Sequence, residues 1–400
     1  MLLIGLIFPG DALYVLIKNH AWKLKMKHHG LYIHIPFCQV KCDYCSFYVV
    51  AGGHDLTTTL VDAMISQLSV LAETHRFKTI YFGGGSPSYL SLKDLFRLVE
   101  AAMVMATEDI ECSIEVNPDQ VTLEMITGLH ARGVRRLSLG AQSFHLDELI
   151  FLSRTYQPAK IYEAFDIVRT GGFDNVSLDL IFAVCGTTAE KWMDSLAQAI
   201  ALDPEHISTY ALTFEPGTKL YKNLVDGKVA QVPQRLDREM YIAGIKKLAL
   251  HGYERYEVSN FSKAGFWCAH NLRYWQNDSY IGIGPNAASF YDGIRSTNIK
   301  GIKRYIASVK SGDSVIDESY QTVGKQLACE TAVLMLRQGR GVDFAAFKRR
   351  TKISFPSLFG KSLKHNIDVG LLARTEQGVK LTTEGVCIAD SVLSDFAIED

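Results

Sequence analysis

Between residues 31 and 213, six short β-rich runs alternate with five helix-like stretches, and that alternation leaves few folds open. The strand candidates are 31–36, 79–82, 112–116, 136–139, 176–182 and 206–213; the helical stretches between them lie near 55–72, 91–105, 122–131, 159–171 and 189–202. Strands separated by helices pair side by side in parallel through right-handed crossovers. Six such units over about 180 residues suit an incomplete (β/α)6 barrel better than a closed eightfold one, and in that architecture chemistry sits on the loops at the strand C-termini.

Immediately after the first run stand Cys38, Cys42 and Cys45, in the spacing C-x3-C-x2-C. A cubane iron–sulfur cluster takes four thiolates for complete cysteine ligation, so three leave one iron open to a small molecule. That iron can chelate the amino and carboxylate groups of S-adenosylmethionine, and reduction of the cluster then breaks a C–S bond to give a 5′-deoxyadenosyl radical. The competing readings are a zinc site lacking its fourth ligand and three incidental thiols.

Four hundred residues, 48% of them hydrophobic, are ample for one large core and a small second unit. The formal net charge of -1 leaves no broad electrostatic footprint for nucleic acid. Eight cysteines in a chain of this length form no disulfide framework, and the cysteine cluster points to a reducing, cytoplasmic setting. Residues 1–17 are apolar but carry Pro9, Gly10 and Asp11, and Lys18, Lys23, Lys25 and Lys27 follow. That pattern is too short and interrupted for a spanning helix and has its charge on the wrong side for a secretory signal. Residues 1–30 therefore read as an upstream extension, with Met26 a candidate start and peripheral membrane association the most the segment implies.

Further candidates line successive strand ends. Gly84, Gly85 and Ser86 fall in a Gly-rich run after the second strand, where glycine lets a backbone approach a ligand closely and expose its N–H groups. Glu115 ends the third strand, Gln142 follows the fourth, and Arg154 next offers a fork suited to a carboxylate. Asp179 sits in the apolar fifth strand, where a buried carboxylate needs a partner. A barrel over 31–255, a linking segment over 256–317 and a C-terminal unit over 318–400 complete the expected organisation. In that last unit helices precede a small hairpin, which reads as a winged-helix-like α+β module. Its Lys348, Arg349 and Arg350 are better explained as a solvated face than as a DNA contact, because nearby acids offset them.

The chain resembles the radical S-adenosylmethionine (SAM) proteins and, within them, the oxygen-independent coproporphyrinogen oxidase-like group. The resemblance spans about residues 31–395 and rests on I-H-I-P-F-C ending at Cys38, G-G-G-S-P-S from Gly83, G-A-Q-S-F from Gly140, L-D-L-I from Leu178, E-P-G-T from Glu215, H-N-L-R-Y-W from His270 and Y-I-G-I-G-P from Tyr280. It implies a radical SAM barrel with a [4Fe–4S] cluster on Cys38, Cys42 and Cys45. It also implies SAM contacts at Tyr32, Tyr44, Gly84, Gly85, Ser86, Glu115, Gln142, Arg154 and Asp179. Oxidases of this group carry a fourth cysteine two residues after the third, and Phe47 stands there, as in the group's haem-chaperone branch. The segment from His270 matches the H-N-x-x-Y-W motif proposed to bind haem in that branch, which would place haem at His270, Asn271, Tyr274 and Trp275. An imidazole can ligate haem iron axially, and Tyr and Trp offer flat apolar faces with polar edges; an aromatic core strip around a satisfied histidine is the plainer account of the same residues. The resemblance thus implies a haem chaperone that serves respiratory haem enzymes and needs a reductant for its cluster. The alternative is radical decarboxylation of coproporphyrinogen III. Three positions depart from the group's pattern: Tyr156 replaces a usual His, Cys185 a usual Pro, and Ala269 a common basic residue.

Overall fold

A computed structural model describes residues 29–397, so the extension expected over 1–30 lies almost wholly outside the described residues. Six parallel strands form the heart of the molecule: β1 His29–Ile35, β2 Phe77–Gly84, β3 Ala106–Val116, β4 Arg136–Gln142, β5 Val176–Phe182 and β6 His206–Ala211. The crossovers carry α1 His54–Ala72, α2 Leu92–Met103, α3 Leu123–Ala131, α4 Ala159–Thr170 and α5 Ala189–Ala201. Several of these helices begin where the sequence supplies a hydroxyl cap. Ser91, Thr122 and Thr188 each accept a hydrogen bond from the backbone N–H three residues on, satisfying a donor the helix itself leaves open.

Strand alternation sorts the two faces of the sheet. Leu31, Ile33, Ile80, Phe82, Ile114, Leu137 and Leu178 are fully buried in the core beneath the helices. The residues between them, among them Tyr32, Tyr81, Glu115, Ser138 and Asp179, give the concave face a polar lining that bonds largely to itself.

The sheet does not end at six strands. On one flank β7 Glu254–Arg255 and β8 Asn260–Ser262 add to β6 in antiparallel order. On the other, β9 Tyr280–Ile283 runs parallel beside β1, and β10 Ala288–Tyr291, β11 Ile294–Asn298 and β12 Ile316–Gln321 extend it antiparallel. The result is a twelve-stranded open sheet in the order β12-β11-β10-β9-β1-β2-β3-β4-β5-β6-β8-β7, a partial barrel with widened edges. Residues 256–317, expected as a link between domains, therefore supply strands to both edges of the main sheet. Helix α6 Gln234–Leu250 packs against α5, α7 Ala269–Trp275 contacts β2, and α8 Ile302–Ser311 packs on α1.

The C-terminal unit has its own core, centred on Phe347, Phe355, Phe359 and Phe396. It contains α9 Gly324–Leu336, α10 Phe344–Thr351 and α11 Phe355–Asp368 around a small antiparallel sheet of β13 Val342–Asp343, β15 Gly378–Leu381 and β14 Leu372–Arg374, a winged-helix-like arrangement. Arg350, from the basic run in α10, is ion-paired to Asp278 of the barrel unit.

Candidate functional site

The cysteine loop leaves the C-terminal end of β1 and is bracketed by a two-residue parallel pairing, Phe37 with Val50 and Cys38 with Ala51. Within it the N–H of Cys45 donates to the Cys42 carbonyl, closing a tight turn. All three thiols are free and partly exposed. Burial is the largest influence on Cys38, pushing its thiol up to about 12, and it raises Cys45 as well. Among the described residues no closed set of three or more His, Cys, Asp or Glu side chains is drawn together as a finished metal site. The loop is pinned from outside by Lys219, ion-paired to Asp43 at 3.0 Å, and by the Leu220 N–H, which donates to the Asp43 carbonyl.

The Gly-rich strand end sits against this loop for a steric reason. The N–H of Gly85 donates to Ile35 and that of Ser86 to Phe37, each at 2.8 Å. A Cβ on Gly85 would lie 2.6 Å from the Phe37 carbonyl oxygen, and one on Gly84, whose φ is 108°, would lie 2.4 Å from the His34 ring. No larger residue fits either position without moving backbone or ring.

Arg154 ties the loop to the pocket. Its Nη2 donates to Tyr44 Oη at 2.7 Å and its Nη1 to Asn117 Oδ1 at 3.0 Å, while its buried Nε finds no partner. Asn117 donates onward to Ser86 Oγ at 2.9 Å. Glu115 accepts from Tyr81 Oη at 2.8 Å, and burial lifts its carboxyl to about 7. Asp179 accepts from both Ser138 and Ser177, which gives the strand carboxylate the partners its position demands. Gln142 has φ 64°, an uncommon backbone for a non-glycine residue. Tyr156 holds that turn by donating to the Gly140 carbonyl at 2.6 Å. Sequence reading missed Asn117 and the part Tyr156 plays. The first stands inside the E-V-N-P run; the second was visible only as a departure from the family pattern.

Tyr32, also expected around SAM, lies beside Tyr81 and bonds to His34. Since His34 Nε2 bonds the Tyr48 carbonyl it must carry the proton, so Nδ1 accepts from Tyr32 Oη at 2.9 Å. The Tyr32 ring, 6.4 Å from that of Tyr81, lines a cleft of about 360 Å³ walled also by Tyr274, Trp275, Tyr280 and Leu334.

That cleft lies beside α7. The carboxylate of Glu111 accepts both the Ala269 and the His270 N–H at 2.9 Å, anchoring the positive end of this short helix to the middle of β3. His270 is fully buried. Its Nδ1 bonds Thr79 Oγ1 and its Nε2 bonds Tyr274 Oη, both at 2.8 Å, and its ring stacks on Tyr81 at 5.3 Å. Burial, aided by Arg273, drives its pKa down to about 3, so the ring is neutral. The structure thus presents the expected axial ligand with both ring nitrogens occupied and Tyr274 between it and the cleft. Asn271 is partly exposed on the same helix. The buried Trp275 Nε1 has no partner. Cys268 and His270 form no metal pair; the Cys268 thiol faces Glu111 at 3.8 Å.

Comparison with known proteins bears on the fold and the family. The Radical SAM superfamily profile matches residues 32–199 and the HemN C-terminal domain profile residues 324–388. Coproporphyrinogen III oxidase (HemN) from Escherichia coli superposes with a TM-score of 0.83 at 21% identity, covering 97% of this chain and 93% of that one, a likeness of fold. Fold and profile together define a radical SAM protein, and that class implies a [4Fe–4S] cluster and SAM. Heme chaperone HemW of Bacillus subtilis is 33% identical over 91% of this chain and 98% of its own length. The protein of the same name from Lactococcus lactis is 31% identical over 94% of this chain and 98% of its own length. The chain belongs to the HemW family.

Proposed function

We propose that this protein binds haem and delivers it to respiratory haem enzymes in a reducing cytoplasm, and that its barrel holds a [4Fe–4S] cluster on Cys38, Cys42 and Cys45 with SAM alongside. The residues present fit those groups. Three free thiols share one loop, Arg154 brings a buried cation and an unpartnered N–H beside them, and Gly84 and Gly85 let the strand end lie against that loop, where a Cβ would meet the His34 ring or the Phe37 carbonyl. When bound, the cluster supplies a redox centre and one iron open to the amino acid end of SAM. Arg154 and Asn117 then orient the loop, Glu115 and Asp179 offer acceptors to ammonium or ribose groups, and Gln142 is aimed by the turn that Tyr156 holds. An external reductant for the cluster belongs to this reading.

The observation that carries the haem assignment is the aromatic cleft. Tyr32, Tyr274, Trp275 and Tyr280 surround a space suited to a flat apolar ring, and it is built on the H-N-x-x-Y-W helix. His270 serves here from behind: it fixes Tyr274 by its ring nitrogen, and ligation of iron by His270 itself requires that bond to open. Phe47, exposed where an oxidase of the group has cysteine, supports carriage over decarboxylation.

An anaerobic haem titration of reconstituted protein, followed by the Soret band, tests the reading. Wild type should show a saturable shift, weakened in Trp275→Ala and in His270→Ala. No shift in wild type removes haem carriage and returns attention to coproporphyrinogen III, whose conversion would be looked for anaerobically as decarboxylated product.

A further inference from the structure

A second, smaller cavity of about 180 Å³ shares Tyr280, Ala288 and Arg295 with the aromatic cleft. Arg295 thus stands where the two spaces meet, at one end of the proposed haem cleft. Its environment holds the guanidinium in one orientation. Nε donates to Glu330 Oε2 at 2.7 Å, Nη2 donates to Asn277 Oδ1 at 2.8 Å, and the group lies over the Phe290 ring at 4.4 Å. All three anchors come from other elements: Phe290 belongs to β10, Asn277 follows α7, and Glu330 belongs to α9 of the C-terminal unit.

A guanidinium has five N–H donors in a fixed fork, more than these two bonds and a further one with Tyr280 consume. The Arg295 and Glu330 side chains are 21% and 25% exposed. Exchange or sharing of Glu330 with another carboxylate is therefore open to solvent, without the penalty of uncovering a fully buried charge. Among the described residues, the only acidic side chain lining either cavity is Glu318, in the smaller one. Haem is a planar apolar ring with two propionates on one edge. Laid against this wall, where Tyr274 and Tyr280 already meet edge to face at 4.6 Å, such a ring would present its carboxylate edge to the one arginine lining the same cleft.

We propose that Arg295 is the specificity-determining residue of this cleft, pairing with a propionate of the bound porphyrin and sharing or displacing its link to Glu330. This rests on the haem assignment above. Arg295 selects for carboxylate-bearing tetrapyrroles over esterified or uncharged ones, and because Glu330 sits on α9, the bound carboxylate also acts on how the C-terminal unit is tethered.

The test compares haem with haem dimethyl ester, which keeps the ring and iron but removes both negative charges. Charge-assisted bonds of this kind correspond to roughly tenfold or more in affinity, so wild type should bind haem at least that much more tightly than the ester. Arg295→Gln should bring haem down to the ester's affinity and leave the ester unchanged. Equal affinities for the two ligands in wild type overturn the inference without any variant being needed, as does an equal loss of both in Arg295→Gln. If wild type binds neither ligand, it is the haem assignment that has failed.

Discussion

Glycine at position 85 is fixed by distance. A Cβ there would sit 2.6 Å from the Phe37 oxygen and 2.8 Å from that of Ile35, two carbonyls held by the very strand that leads into Cys38. Gly85→Ala must push the strand end and the cysteine loop apart, at a cost of about 1–3 kcal/mol typical of forced overpacking. We expect a lower urea midpoint together with poor iron incorporation on reconstitution; normal values of both would show that the two segments are free to separate. Tyr156 makes the same point through hydrogen bonding. Its hydroxyl holds the carbonyl beside a Gln142 turn at φ 64°, so Tyr156→Phe leaves a buried acceptor unpaired at about 1–3 kcal/mol. SAM affinity, read from its perturbation of the reduced cluster's EPR spectrum, should fall while iron content stays constant. Unchanged affinity would mean that the turn holds itself.

At the level of elements, the edge of the sheet carries an acid in an unfavourable place. Glu257, between β7 and β8, is 1% exposed, accepts from the Ser259 N–H at 3.0 Å and bridges to Gln338 of the C-terminal unit. Burial raises its carboxyl from 4.5 to about 7. A folded pKa above the unfolded one means that the native state holds a proton the unfolded chain has released. The stability this gives is complete below about pH 4.5 and is lost as pH rises through about 7. Glu257→Gln removes that loss. Relative to wild type it should gain stability between pH 5.5 and pH 8, by roughly 1–3 kcal/mol given the size of the shift. Urea midpoints at the two pH values measure this, and parallel pH profiles would refute it. Glu115 is raised in the same direction, so the variant keeps part of the wild-type slope.

At the level of the whole molecule, the C-terminal unit is docked by polar contacts that converge on the aromatic cleft. Asn277 donates to Thr331 at 3.0 Å and accepts from Arg295, and Gln338 donates to the Trp275 carbonyl at 3.1 Å. Asn277 is buried and has φ 52°, a conformation asparagine tolerates better than most residues. Asn277→Ala should cost about 1–3 kcal/mol from the partners left unpaired and weaken haem binding, because it loosens Arg295 and the α7–α9 contact together. Thermal unfolding and the Soret titration on one preparation check both halves; a destabilised variant with wild-type haem affinity would separate the tether from the cleft.

The sequence by itself determined much of the scaffold. Period-two and helical runs marked the six parallel strands and their crossover helices, and strand β5 falls on 176–182 as expected, because those signals are local. The spacing of Cys38, Cys42 and Cys45, and Phe47 beyond them, is likewise local and needs no fold to be read. The sheet's edges were not legible: β9 finds β1, and β8 finds β6, across long stretches of chain, and nothing in the short runs 260–262 and 280–283 names a partner. The same limit hid the partners of His270. Its bond to Thr79 spans 191 positions and its helix is anchored by Glu111, 159 positions away, so the sequence left an axial haem ligand and a satisfied histidine in an aromatic strip both open, and the fold makes it a neutral ring packed behind Tyr274. Spacing along the chain determines which groups can act together within one loop. The order of strands in the sheet decides which distant groups share a wall, and here that tertiary order set Tyr32, Trp275 and Arg295 around one cleft.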